Sequence, residues 1–252
     1  MSKLFIIGLG PGDAKYLTEE ARHCLQSCTH IVGYHLYIEL VDASIRPKNI
    51  VHFELGEEVE RARHALELAA QGHQVALVSS GDPGIYAMAT VVFQLLDQEQ
   101  NDLWQSIDIE VVCGISAFQL ASSLCGALVA HDFCLISLSD LLTPWPTIEK
   151  RVKHATDGDF VIAFYNPLSK QRDWQLKQSL EIIKAQRSGN TPVVIGKQLG
   201  RPQQRLIKTS LQDIELDMVD MLSIVMIGNS QTRQVGQHLY TPRGYINHSG
   251  AQ

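Results

Sequence analysis

The sequence lacks any long apolar run. None of its 252 residues lies in an uninterrupted apolar stretch that approaches roughly 18 residues, the length needed to span a bilayer. The chain passes at once into the apolar segment 3–8, with no basic region followed by a long apolar stretch, so a signal peptide is not predicted. We therefore expect a cytoplasmic protein with no membrane partner.

Cysteines are few and odd in number, which argues against a disulfide framework. The five are Cys24, Cys28, Cys113, Cys125 and Cys134. Most lie in apolar segments, as is typical of reduced thiols in a reducing compartment. Cys24 and Cys28 have a helical spacing, but no neighbouring residues complete a zinc site. His131, Asp132 and Cys134 leave metal ligation open as the lesser alternative to packing, and we predict no metal.

The sequence also lacks a positive net charge. At −6 it does not favour general nucleic-acid binding, so no nucleic-acid partner is expected. The charge is uneven, however, because residues 1–132 carry 7 Lys and Arg against 17 Asp and Glu, and residues 133–252 carry 14 against 10. These counts give −10 and +4. A basic second half suits a small polyanionic substrate, with solvated surface as the alternative interpretation.

Motifs of common enzyme classes are missing too. There is no G-x-S-x-G nucleophile elbow and no Walker loop. The G-x-G-x-G run at 8–12 resembles a dinucleotide-binding loop, but the second predicted strand is followed by no acidic residue for a ribose hydroxyl. Pro11 also removes an N–H group that a pyrophosphate would use. A nicotinamide cofactor is therefore disfavoured, and a tight loop beside a cleft remains.

Strands alternate with helices along the chain, which predicts an α/β fold. We expect a mainly parallel N-terminal sheet in residues 1–128, a mixed C-terminal sheet in 129–245 and an irregular tail, 246–252. Residues 75–88 read as a buried strand, a turn of small residues and a helix. We predict that this helix spans 82–98, with Asp82 as its N-cap and Pro83 as its first residue.

Three motifs in chain order carry a resemblance to a known family. They are G-L-G-P-G-D at 8–13, S-S-G-D-P-G-I-Y at 79–86 and G-I-S-A at 114–117. Together they resemble the tetrapyrrole methylases, which transfer a methyl group from S-adenosylmethionine. Four further stretches (32–37, 131–146, 164–167 and 241–245) resemble the branch that methylates C-17 of precorrin-3B or cobalt-precorrin-3 in cobalamin synthesis. The resemblance covers residues 3 to about 245.

The resemblance implies two α/β domains with a cofactor cleft between them, and a homodimer. It implies S-adenosylmethionine as cofactor, S-adenosylhomocysteine as product and a tetrapyrrole polycarboxylate as substrate. The cofactor-binding residues that it implies are Pro11, Ser80, Gly81, Asp82, Ile85, Ser116, Ala117, Asn166, Lys197, Met226, Ile227 and Gly228. The chain departs from the family at Cys113, where proline is common, and at Ser116, where threonine is commoner.

Methyl transfer needs alignment more than a nucleophilic residue. In this branch the family couples it to contraction of the macrocycle, which moves protons. Our acid–base candidates are His131, Asp132, Asp140 and Tyr165. Our candidates for the substrate carboxylates, chosen from loop placement, are Lys170, Arg172, Arg201 and Arg233. The alternatives are a methylase of another carbon or corrin stage, and a non-catalytic module that binds a nucleotide-like ligand.

Overall fold

Alternating strands and helices build two five-stranded sheets in the computed structural model, which describes residues 2–169 and 172–246. The chain divides into two compact units, Met1–Ser116 (unit 1) and Ala117–Gln252 (unit 2). The boundary that we predicted after residue 128 differs by residues 117–128. They contain a helix, 117–125, which contacts strands of unit 2, and the short strand 126–127. Of the predicted tail, residues 247–252 lie outside the described residues.

Unit 1 contains a five-stranded sheet with the order β3-β2-β4-β1-β5, in which every pair of neighbours is parallel. Its strands are β1 (Lys3–Gly8), β2 (His30–Tyr34), β3 (Asn49–Phe53), β4 (Gln74–Ser79) and β5 (Asp108–Val112). Its helices are α1 (Glu19–Ser27), α2 (His35–Ile38), α3 (Glu58–Ala70), α4 (Met88–Glu99) and α5 (Asp102–Gln105). The predicted parallel sheet is confirmed.

Helices cover both faces of this sheet because successive strand residues point to opposite faces. In β1, Leu4 and Ile6 join a cluster with α3 and α4, whereas Phe5 and Ile7 join a second cluster with α1 and α2. Strand β4 alternates in the same way and is buried along residues 75–79. The central strands are therefore packed by helices on both faces of the sheet, which holds their carboxyl ends in place.

Unit 2 holds a mixed sheet with the order β10-β9-β11-β8-β7, and a small sheet with the order β12-β13-β6. In the mixed sheet the neighbours β7 and β8 pair in parallel, and the other three pairs of neighbours are antiparallel. The predicted mixed sheet is confirmed. The strands are β6 (Gly126–Ala127), β7 (Phe133–Ser137), β8 (Val161–Tyr165), β9 (Pro192–Lys197), β10 (Arg205–Ser210), β11 (Ser223–Ile227), β12 (Arg233–Val235) and β13 (His238–Tyr240). The helices are α6 (Ala117–Cys125), α7 (Trp145–Asp157) and α8 (Gln175–Lys184).

The predicted start of the helix after β4 is wrong. Residues 82–87 form turns and bends, and the helix begins at Met88. Tyr86 has a φ of 52°, a left-handed conformation that a right-handed helix cannot contain. The Asp82 carboxylate binds backbone N–H groups of the turn and of the loop after β5 instead of capping a helix. The loop at the carboxyl end of β4 therefore comprises eight residues, 80–87.

Candidate functional site

Three loops meet at the carboxyl edge of unit 1, and we call them together the glycine edge. They follow β1 (residues 8–13), β4 (80–87) and β5 (113–116), three neighbouring parallel strands. Gly10 and Gly81 exchange two backbone hydrogen bonds, with N···O distances of 3.1 and 2.7 Å. In open α/β sheets this edge is where ligands bind.

The glycine edge is packed backbone against backbone. A Cβ atom placed on Gly8 or on Gly114 would lie less than 3.0 Å from the Gly81 carbonyl oxygen. Gly81 has a φ of 69°, in the left-handed region that favours glycine. The missing side chains are therefore a requirement of this contact, and they leave main-chain atoms at the surface of the three loops.

Asp82 ties two of the three loops together. One carboxylate oxygen accepts the Gly84 N–H at 2.8 Å, and the other accepts the Gly114 N–H at 3.0 Å. Ser79, just before the turn, has a buried hydroxyl with no hydrogen-bond partner among the described residues. Asp82 thus shapes the glycine edge through backbone N–H groups, and the buried Ser79 hydroxyl lies just before the turn.

The structure brings the predicted cofactor residues of unit 1 to this edge. Pro11, Ser80, Gly81, Asp82, Ile85 and Ser116 all lie in its three loops. Ser116 is 2% exposed and packs beside Gly81. Cys113, where the family commonly has proline, is an exposed thiol, and the close approach of Gly114 forms all the same. Ala117, the next predicted residue, is the first residue of α6.

Unit 2 presents a second edge, which we call the polar edge, where β7, β8 and β9 end and β11 begins. Asn166 follows β8 with a φ of 50°, and its side-chain amide donates to Ser137 Oγ at 3.0 Å. Arg172 donates from Nε to the Asn166 carbonyl at 3.1 Å and from Nη1 to Ser139 Oγ at 3.4 Å. Side chains, rather than glycine backbones, hold this edge together.

Lys197, the last residue of β9, lies on the other side of the polar edge. Its ammonium lies 3.0 Å from the Asp220 carboxylate, which also accepts Ser223 Oγ at 2.7 Å. Burial raises the pKa of Asp220, but the hydrogen bonds from Ser223, Lys197 and the Leu222 N–H outweigh it and hold that pKa below its usual value. Lys197 therefore has an ionised partner at neutral pH.

The structure separates Met226, Ile227 and Gly228 from the other predicted cofactor residues of unit 2. Strand β11 runs antiparallel to β8 and β9, and Gly228 N–H binds the carbonyl of Pro192 at the start of β9. Lys197 ends β9 five residues later, about 17 Å along a strand. Met226 and Ile227 are fully buried. The β11 residue at the polar edge is Ser223, which our sequence reasoning missed because it did not consider strand direction.

The four acid–base candidates lie at opposite ends of the strands β7 and β8. Asp140 follows the carboxyl end of β7 and accepts Gln175 Nε2 at 2.9 Å, and the Tyr165 hydroxyl accepts the Phe118 N–H at 3.3 Å. His131 and Asp132 precede β7, with His131 Nδ1 3.3 Å from the Asp132 carboxylate. Asp140 and Tyr165 thus share the polar edge with Asn166, and the other pair does not.

The candidates for the substrate carboxylates are also spread over different places in unit 2. Arg172 belongs to the polar edge, where it is engaged with the protein's own oxygens. Arg201 lies in the loop after β9, where its N–H binds the Gln198 carbonyl at 3.0 Å. Arg233 is exposed on β12 of the small sheet, and Lys170 lies outside the described residues. Arg201 is better placed than Arg233 for a ligand at the polar edge.

Cys28 and Cys134 have the properties of structural thiols. Burial raises the pKa of Cys28 to about 12 and that of Cys134 to about 11, so neither is a thiolate at neutral pH. Within residues 2–169 and 172–246, no three His, Cys, Asp or Glu side chains are grouped closely enough to hold a metal ion. No helix in the same ranges has the length and apolarity to cross a membrane.

Comparisons with known proteins agree with this α/β fold. A family model described as "Tetrapyrrole (Corrin/Porphyrin) Methylases" matches residues 3–215. The chain is 43% identical to a "Probable cobalt-factor III C(17)-methyltransferase" of Salmonella typhimurium, over 96% of this chain and 99% of that one. It is 38% identical to a "Precorrin-3B C(17)-methyltransferase" of Sinorhizobium sp, over 96% of each chain. A crystal structure of the methyltransferase CobJ superposes with a TM-score of 0.90 at 38% identity, covering 96% of this chain and 100% of that one.

Proposed function

Because the chain belongs to the tetrapyrrole methylase family, we propose that it methylates C-17 of a precorrin-3B or cobalt-factor III macrocycle in cobalamin biosynthesis. The methyl donor is S-adenosylmethionine, the product is S-adenosylhomocysteine, and the methylation is coupled to ring contraction. The observation that carries the proposal is the 43% identity over 96% of this chain to a relative named for C(17) methylation.

The residues of the glycine edge fit such a cofactor. Bound there, S-adenosylmethionine supplies the activated methyl carbon. Gly8, Gly81 and Gly114 let the three loops pack main chain against main chain, because a Cβ on Gly8 or Gly114 would strike the Gly81 carbonyl. Ser80 and Gly81 would contact the cofactor, the buried Ser116 would support Gly81, and Asp82 would keep their loops in place through Gly84 and Gly114.

The residues of the polar edge supply a second set of contacts in this proposal. Asn166, Lys197 and, by its place in the sheet, Ser223 would bind or orient the ligands. Met226, Ile227 and Gly228 would act indirectly, because Met226 and Ile227 are fully buried and Gly228 binds the far end of β9. Orientation of the reacting groups is the main catalytic effect expected from both edges.

Ring contraction also requires proton transfer, for which we propose Tyr165 and Asp140. The Tyr165 hydroxyl can donate a proton or accept one, and the Asp140 carboxylate can accept one. Both lie at the polar edge with Asn166, whereas His131 and Asp132 precede β7 at the other end of the strands. We therefore rank Tyr165 and Asp140 above His131 and Asp132, and Arg201 above Arg233 as a partner of the substrate's carboxylates.

We further propose a homodimer in the cytoplasm. The homodimer rests on the family resemblance, and sedimentation velocity at several protein concentrations tests it. The location rests on the five cysteines, which all lie in the described residues and are free thiols, as expected in a reducing compartment. Fractionation of the producing cells tests that location.

The decisive experiment identifies the methylated carbon. The protein is incubated with methyl-¹³C S-adenosylmethionine and either cobalt-factor III or precorrin-3B, and the product is examined by NMR. We expect the label on C-17 with at least one of the two substrates. A label on another carbon would replace our assignment by that of a different corrin methylase. No transfer with either substrate, together with no binding of S-adenosylhomocysteine, would reject the enzyme altogether.

A further inference from the structure

The loop between β7 and α7 exposes two consecutive leucines. Leu141 is 84% exposed and Leu142 is 92% exposed. An exposed leucine forgoes the free energy of burial. Single exposed apolar residues are ordinary, but adjacent ones at such exposure form a patch of the kind that marks a contact surface. The described chain provides no cover for this pair, so its contact would be with another molecule.

The loop is anchored on both sides of the leucines. Before them, the Asp140 carboxylate accepts Gln175 Nε2 at 2.9 Å. After them, the Trp145 ring packs edge-on against Trp174 with the ring centroids 4.9 Å apart. Both anchors lie on the segment that begins α8. The leucine pair is therefore presented from a fixed base, which lowers the entropy cost of using it as a contact.

The leucine pair also stands next to the polar edge. Ser139 and Asp140 directly precede the pair, and the Ser139 hydroxyl accepts Arg172 Nη1 at 3.4 Å. A guanidinium group thus contacts the same loop two residues before Leu141, in the half of the chain that carries +4. A flat macrocycle with an apolar face and carboxylates around its rim has the complementary distribution of apolar surface and charge.

Resting on the function proposed above, we propose that Leu141 and Leu142 contact the face of the tetrapyrrole macrocycle and position it at the polar edge. Their contact is with the substrate alone, so substrate affinity and cofactor affinity should respond independently to changes in the pair. A second copy of the chain is the other occupant that such a patch would suit, and the experiment separates the two.

The test is the double variant Leu141→Ser/Leu142→Ser. We expect its KM for cobalt-factor III to rise about 10- to 100-fold, the usual effect of losing apolar contacts in a pocket. Its affinity for S-adenosylhomocysteine, measured by calorimetry, should equal that of the wild type. Leu141→Met/Leu142→Met, which keeps the apolar contact, should retain a KM near that of the wild type. Leu103→Ser, a change at a leucine 67% exposed on α5, is the matched control and should change neither quantity.

Two results would overturn the inference. One is an unchanged KM for cobalt-factor III in the serine double variant. The other is a dimeric wild type whose serine variant sediments as a monomer and regains the wild-type KM at concentrations where it dimerises, because the pair would then contact a second copy. Failure of the proposed function looks different, since the wild type itself would neither bind S-adenosylhomocysteine nor methylate a tetrapyrrole.

Discussion

The glycine edge of unit 1 and the polar edge of unit 2 are built in opposite ways. At the glycine edge, three loops touch through main-chain atoms, and an added Cβ on Gly8 or Gly114 would collide with a carbonyl oxygen. At the polar edge, Asn166 and Arg172 hold the strand ends through side-chain hydrogen bonds. The first edge is therefore sensitive to any added atom, and the second to the loss of polar groups.

Under the proposed function, this difference assigns the two ligands to different edges. Main-chain N–H and C=O groups are rigid and present at every residue, so a backbone-lined edge suits the cofactor, which all methylases of the family would share. Side chains differ in charge and reach, so a side-chain-lined edge can be adapted to one substrate. The following predictions test this contrast, beginning with the largest expected effect.

Gly114→Ala should be the most damaging change. Its Cβ would lie less than 3.0 Å from the Gly81 carbonyl oxygen and from Gly8, and overpacking of backbone against backbone costs about 3 kcal/mol. Denaturant unfolding should show that loss, and binding of S-adenosylhomocysteine should disappear. Gly72→Ala is the control, because its Cβ meets nothing within 4 Å and suffers only from its φ of 93°, at about 1 kcal/mol. Equal losses in both variants would contradict the close-packed edge.

Asp82→Ala should have an intermediate effect. It leaves the N–H groups of Gly84 and Gly114 without their acceptor, which costs about 2 kcal/mol. The affinity for S-adenosylhomocysteine should fall about tenfold, because the loops that carry Ser80 and Ser116 lose their tie. Asp82→Asn keeps one acceptor oxygen, so its affinity for S-adenosylhomocysteine should lie between those of the wild type and the alanine variant. Unchanged affinity in the alanine variant would limit Asp82 to a structural role in the turn.

Arg172 distinguishes two roles at the polar edge. If it fixes Asn166 and Ser139 through its planar fork, Arg172→Lys should behave like Arg172→Ala, with a loss of about 1 kcal/mol in unfolding free energy and a weaker substrate affinity. If it pairs with a substrate carboxylate instead, lysine should restore most of that affinity. Thermal unfolding measures the change in stability, and the KM for cobalt-factor III measures the change in substrate affinity. Arg151→Ala, at an exposed arginine on α7, is the control.

Asp220→Asn should give the smallest effect, and one that depends on pH. The pKa of Asp220 is below its usual value of 3.8 in the folded protein, so the ionised carboxylate stabilises the fold above that value and the stabilisation is lost as the pH falls through the folded pKa. The variant should be less stable than the wild type by up to about 1 kcal/mol at neutral pH. The unfolding free energies of the wild type and the variant should converge as the pH falls. A difference between them that is constant with pH would contradict this assignment.

Much of this arrangement can be predicted from the sequence, because it follows from local pattern. The apolar run of β4 and the small residues after it predict a strand end that a ligand can approach, and Ser80, Gly81 and Ser116 do share one edge. The start of α4 was predicted wrongly, since a Pro83 that suits a helix start also suits the turn that contains the left-handed Tyr86.

Other features depend on contacts that are distant in sequence. The direction of β11 decides whether Ser223 or Gly228 lies beside Lys197, and the residues of β11 itself do not encode that direction. The exposure of Leu141 and Leu142 is equally hidden, because an apolar pair before a helix normally predicts burial. The tie from Asp82 to Gly114 spans 32 residues and appears only once β4, β1 and β5 are side by side.

The central claim is that the glycine edge holds the methyl donor of a tetrapyrrole methylase, and one calorimetric titration tests it most directly. S-adenosylhomocysteine is titrated into the wild-type protein and into Gly114→Ala, with the helical content of both checked beforehand by circular dichroism. We predict binding with a micromolar Kd for the wild type and no binding for a variant that has kept its helices. Absence of binding to the wild type, or equal affinity in the two proteins, would contradict the account.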